Sequence, residues 1–192
     1  MKILIAEDES DISVTYKIVL EERGHEVIIT ENGEECLDIY HSELKRRGNS
    51  PLYSSSPFEV VVLDYKMPRK NGIEVAKEIL DLNPNQRIIF ASAYVRDTLE
   101  DAVKQLKRVV ELLQKPFSPD KLVDIIEDKE SFEGLKKLMV DVKNMVGDVE
   151  PTREQIKDLF ESLRKIQKGK GFMQFLLSGS MVFLSSVNSL VI

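Results

Sequence analysis

Five side chains scattered along this sequence have the types needed to move a charged group: Glu7 and Asp8, Asp64, Ser92 and Lys115. Each stands just after an apolar run. "KILIA" leads to Glu7-Asp8, "FEVVVL" to Asp64, "RIIFA" to Ser92 and "VVELLQ" to Lys115-Pro116. A buried strand can end on a charge where its end opens into a site. Three carboxylates converging in one crevice repel one another strongly unless a cation lies between them. The ligand atoms are oxygens, which favours magnesium, an ion usually held by few carboxylates and retaining several waters. A carboxylate beside such an ion can attack phosphorus as a nucleophile. The charge that develops on phosphoryl oxygens then needs donors, and Lys115 and the Ser92 hydroxyl are placed to provide them. Taken singly, Asp64 could be a cap before a helix and Ser92 could simply terminate a strand. The set of five is what gives the chemical reading its weight.

The elements that must position these residues follow from periodicity. After "KILIA", Ile12, Tyr16, Val19 and Leu20 recur at helical spacing up to Gly24. "HEVIIT" is a second strand. "NGEECLDIYHSELKRR" is a second helix, with Cys36, Leu37, Tyr40 and Leu44 on one face. "FEVVVLD" is the third strand, and "GIEVAKEILDLN" is the third helix, closed by Asn83-Pro84. "RIIFASA", "DTLEDAVKQLK", "VVELLQ" and "SPDKLVDIIEDK" complete five strand–helix units. Apolar strands alternating with amphipathic helices indicate an α/β fold, a parallel sheet with helices on both faces.

Glu7-Asp8, Asp64 with the following "MPRKNG", Ser92-Ala93 and "KPF" at 115–117 resemble the receiver domain of two-component response regulators. The likeness covers roughly residues 1–128. No single motif decides it, but four motifs in order, each at a strand end, are specific. The resemblance implies a doubly wound, flavodoxin-like five-stranded sheet in the order 2-1-3-4-5. It implies that Asp64 accepts a phosphoryl group from a histidine kinase or phosphotransfer protein. It implies a magnesium site at Asp8, Glu7, Asp64 and the backbone carbonyl of Lys66. Ser92 would be the switch hydroxyl and Lys115 its cationic partner, with a cis Lys115-Pro116 bond. Gly72 would supply a tight backbone position before the third helix. Such a domain assists its own phosphorylation and dephosphorylation and is not a dedicated enzyme.

Two positions depart from the family pattern. The aromatic expected three residues before the lysine is Leu112, and Tyr94, two after Ser92, could take over part of its role and slow loss of phosphate. The stretch 47–57, rich in serine and proline, reads as a tolerated surface insertion, with a partner contact as the alternative.

Residues 129–171 read as a helical extension. Phe132, Leu135, Leu138, Met139, Val142 and Met145 form one stripe, with Ser131 as its cap and Gly147 near its end. Ile156, Leu159, Phe160, Leu163 and Ile166 form another behind a Thr152–Gln155 capping box. These helices would pack on the receiver, or serve a homodimer or effector contact. The last 21 residues, 172–192, carry no charge and follow Arg164, Lys165, Lys168 and Lys170. That length suits a membrane helix with a cytoplasmic flank. Gln174, Asn188 and several serines dilute it, leaving a β-hairpin around Ser178-Gly179-Ser180 or a helix buried in a dimer as alternatives.

Composition narrows the classes. The chain has 192 residues, is 42% hydrophobic and 31% charged, and is therefore globular. Its net charge of -6 leaves no basic surplus for phosphate backbones, and no helix-turn-helix with a basic recognition helix is visible, so nucleic acid is not an expected partner. The single cysteine suits a reducing cytoplasm, and the N-terminus turns acidic too soon for a secretory signal. A haloacid-dehalogenase-like phosphohydrolase shares the aspartyl nucleophile but carries a second aspartate two residues on, where this chain has Lys66. A receiver-shaped module that is never phosphorylated has no reason to keep all five residues.

Overall fold

The computed structural model describes residues 1–47, 56–93, 106, 110–130, 132–134, 174–177 and 180–182. Five parallel strands form the body of one sheet: β1 (Lys2–Ala6), β2 (Glu26–Thr30), β3 (Val60–Leu63), β4 (Ile88–Ser92) and β5 (Glu111–Gln114), in the order 2-1-3-4-5. Helices α1 (Ser10–Glu22), α2 (Gly33–Arg47), α3 (Gly72–Leu82) and α4 (Pro119–Glu127) join or follow them. The helix expected between β4 and β5, most of 47–57, and nearly all of 129–171 lie outside the described residues.

The sheet separates two apolar layers, and β1 shows why an unbroken apolar run is required. Ile3 and Ile5 join Tyr16, Leu20, Leu122, Ile125 and Ile126 under α1 and α4. Leu4 and Ala6 face the other way, joining Cys36, Tyr40, Val75 and Ile79 under α2 and α3. A strand buried on both faces cannot alternate apolar with polar. Cys36 is fully buried here, and burial pushes its thiol up to about 12, which fits a small core residue rather than a reactive one.

Local chemistry sets the helix starts. Asn71 caps α3: its Oδ1 accepts from the Ile73 and Glu74 amides, while Glu74 accepts from the Asn71 amide in return. Pro119 opens α4, where its missing N–H costs nothing. The chain leaves α1 through Gly24, whose φ of 77° falls in the left-handed region that glycine adopts freely.

Among the described residues two further strands extend this five-stranded parallel sheet. Gln174–Leu177 (β6) and Ser180–Val182 (β7) pair antiparallel with each other, and β6 pairs antiparallel with β5. The described part of the tail is thus the hairpin among the three sequence readings, not a membrane helix. Among the described residues no helix is long and apolar enough to cross a membrane. The physical reason is the β5 edge: its backbone groups are an unfilled row of donors and acceptors that an uncharged, extended segment can complete.

Candidate functional site

Strand register brings the chemical residues to one end of the sheet. Ala6 pairs with Leu63, so Glu7 and Asp64 leave the sheet at the same level. The Asp64 amide donates to the Ala6 carbonyl at 2.9 Å, and the Glu7 amide to the Thr30 carbonyl at 3.0 Å. On the other side Ser92 pairs with Gln114, and the Lys115 amide donates to the Ser92 carbonyl at 2.9 Å. The five residues thus meet across β1, β3, β4 and β5.

Glu7, Asp8 and Asp64 each offer a carboxylate oxygen, all within 4.8 Å of one another. Their settings differ: Glu7 is buried, Asp64 borders on buried and Asp8 is exposed. Lys115 crosses the crevice, its Nζ lying 2.7 and 2.9 Å from the two Glu7 oxygens and 3.7 Å from Asp64 Oδ2. Burial pushes the Glu7 carboxyl up to about 7; Lys115 opposes this, while the charges of Asp64 and Asp8 add to it. Asp64 is raised for the same first reason, against Lys115, the Tyr65 amide and the Ser92 hydroxyl, all of which favour its ionised form. The Tyr65 amide donates to Asp64 Oδ1 at 2.6 Å. The three carboxylates, with their oxygens within 4.8 Å of one another, have the donor set a small divalent cation would complete.

Neighbouring residues fix this geometry. A Cβ on Gly72 would lie 2.2 Å from the Asp64 carbonyl oxygen, so only glycine lets α3 start this close to the acceptor strand. The tight position expected of Gly72 is therefore present. The Lys115-Pro116 peptide is cis, as the resemblance implied. Lys66 lies in the loop two residues beyond Asp64 with its side chain exposed, and Leu112 is buried in the core beneath α2 and α3. Tyr94 lies outside the described residues.

Two features were missed in sequence. Tyr16 of α1 stacks on Phe117 with ring centroids 5.5 Å apart, bracing the segment that carries Lys115. Its hydroxyl is pushed up by burial and by the Glu7 and Asp64 charges. At the opposite end of the sheet, Arg87 is buried in a two-pronged pair with Glu111, at 2.7 and 2.9 Å. It also donates to the carbonyls of Ile125, Ile126 and Asp128 at the end of α4, and its guanidinium lies 5.0 Å from the Phe132 ring centroid. A cation at a helix C-terminus opposes the negative end of its dipole.

Residues 3–127 match the family described as "Response regulator receiver domain". The chain belongs to that family. The receiver is 29% identical over 127 residues to the chemotaxis protein CheY of Thermotoga maritima, a match spanning 65% of this chain and 93% of that protein. It is 26% identical over 174 residues to the transcriptional regulatory protein PdtaR of Mycobacterium tuberculosis, spanning 90% of this chain and 73% of the relative. The second match is too long to stop at the receiver. Among solved structures, the response regulator TrrA of Thermotoga maritima, in complex with Mg(2+)-BeF, is 28% identical with a TM-score of 0.50, covering 66% of this chain and 96% of that one. Receivers are signalling modules of two-component response regulators.

Proposed function

We propose that this receiver is switched by transfer of a phosphoryl group to Asp64. The donor would be a phosphohistidine on a histidine kinase or phosphotransfer protein. An Asp64 carboxylate oxygen bonds to phosphorus as the P–N bond breaks, and the electron pair stays on the imidazole nitrogen. The Lys115 ammonium and the Ser92 hydroxyl donate to the phosphoryl oxygens, where negative charge gathers. Glu7, Asp8, Asp64 and the Lys66 carbonyl would hold Mg2+, which supplies charge neutralisation. The complex of TrrA with Mg(2+)-BeF supports that ion in a related receiver. The observation that carries the reading is Lys115: a cation 3.7 Å from Asp64 and bonded to buried Glu7, in a cluster of three carboxylates.

The receiver would span residues 1–128, with 129–171 as an extension and 172–192 as a tail. It would work in the cytoplasm and signal through protein contacts made beyond residue 128. The long match to PdtaR favours one further reading, that the extension gives a regulatory output of the kind that relative's name describes.

Full-length protein incubated with radiolabelled acetyl phosphate tests the central claim. Label should appear only with Mg2+, be lost in alkali as an acyl phosphate is, and be absent from Asp64→Asn. Equal labelling of the asparagine variant would refute the assignment.

A further inference from the structure

The β5 edge is where residues beyond the receiver return to it. Glu111 and Leu112 of β5 have Phe175 and Gln174 of β6 as their antiparallel partners. Glu111 is also the residue that grips Arg87, and Arg87 in turn lies against Phe132, which is buried in the core beneath α1 and α4. The chain leaving the receiver at Phe132 and the chain coming back at Phe175 are therefore both fastened around one position of β5. Between Phe132 and Gln174 run 41 residues.

The chemistry of the returning segment suits a sheet edge. From Phe172 to Ile192 it carries no charge and no proline, the two devices that block strand addition. The β5 edge, with Leu112 and Leu113 at its centre, would without this cover be an apolar strand open to pairing.

We propose that the β5 edge is a strand-docking surface and that its occupant is this chain's own β6–β7 pair, residues 174–177 and 180–182, seated in cis, which excludes any partner strand while it is there. A second copy could offer the same strand, but tethering favours the cis arrangement. A linked segment meets its site at an effective concentration on the order of millimolar, well above ordinary protein concentrations. The strand the hairpin covers is the one that runs directly into Lys115.

Cross-linking the full chain tests this. Leu112→Cys and Gln174→Cys place two thiols on directly opposed positions, whose Cα separation in an antiparallel pair falls in the range a disulfide spans. Mild oxidation of the double variant at micromolar concentration should give a monomeric species with a 112–174 bridge, identified by peptide mapping. A bridge found only in covalent dimers, or no bridge at all, overturns the cis assignment. Because Leu112 is buried, a second variant leaves that residue in place: Phe175→Pro in the full chain. Hydrogen exchange should rise at least tenfold at one or more β5 amides and stay unchanged at Val61–Leu63 in the middle of the sheet. Unchanged exchange along β5 refutes the proposal independently of whether Asp64 is phosphorylated.

Discussion

Glu7 should make the metal-free protein lose stability as pH rises toward neutrality. Its side chain is 1% exposed, and its carboxyl is pushed from the ordinary 4.5 up to about 7. Between those values the folded protein holds a proton that the unfolded chain has released, so stability falls with rising pH. The contribution is complete below about pH 4.5 and is lost as pH climbs through about 7. At roughly 1.4 kcal/mol per unit the loss comes to about 3 kcal/mol, and the raised Asp64 carboxyl adds to it with the same sign. Urea unfolding at about pH 5 and about pH 8, without metal, measures this. Mg2+ at a hundred times its dissociation constant should restore about 2.7 kcal/mol at the higher pH and less at the lower, where a proton competes for Glu7. Glu7→Gln should flatten the slope. A wild-type stability that does not change between the two pH values, or a Glu7→Gln slope as steep as the wild type's, would show that the crevice does not hold its carboxylates as described.

Three other outcomes follow from the packing. Lys115→Met should slow phosphorylation of Asp64 by ten- to a hundredfold and raise the apparent pKa of Glu7 further, since the ammonium is what favours its ionised form; stopped-flow labelling and carboxyl NMR titration would show both. Gly72→Ala should cost about 1–3 kcal/mol and slow phosphorylation as well, because the new methyl must displace the Asp64 carbonyl; thermal melts and labelling rates check it. Arg87→Met should cost about 3–5 kcal/mol by removing the cation that grips buried Glu111, and the double change with Glu111→Leu should recover most of it, as chemical denaturation of the single and double variants can measure.

The receiver was legible because its strands are buried on both faces, which makes each an apolar run, and because its chemical residues stand where those runs stop. The sheet order and the cis Lys115-Pro116 bond came through resemblance rather than through periodicity. The Lys115–Glu7 contact joins residues 108 apart in sequence, a distance at which no local pattern speaks. Arg87 and Glu111 each interrupt the start of an apolar strand with opposite charges, and that was the available sign of a buried pair; adjacency of β4 and β5 was needed to join them. The tail stayed ambiguous for the opposite reason. A uniformly uncharged stretch has no period to distinguish strand from helix, and its partner strand lies some sixty residues upstream.

Strand β5 is pinned electrically at both ends. Glu111 at its start is locked to Arg87, and Lys115 just past its end is held by Glu7. Sliding the strand along its neighbour by one pleat would break both pairs at once and cost two buried carboxylates their cations, a barrier set by desolvation rather than by backbone hydrogen bonds alone. A slide of β5 along its neighbour is therefore costly. A tilt about the line joining the two pairs keeps both, and it is the kind of motion an antiparallel hairpin riding on that edge would feel along its whole length.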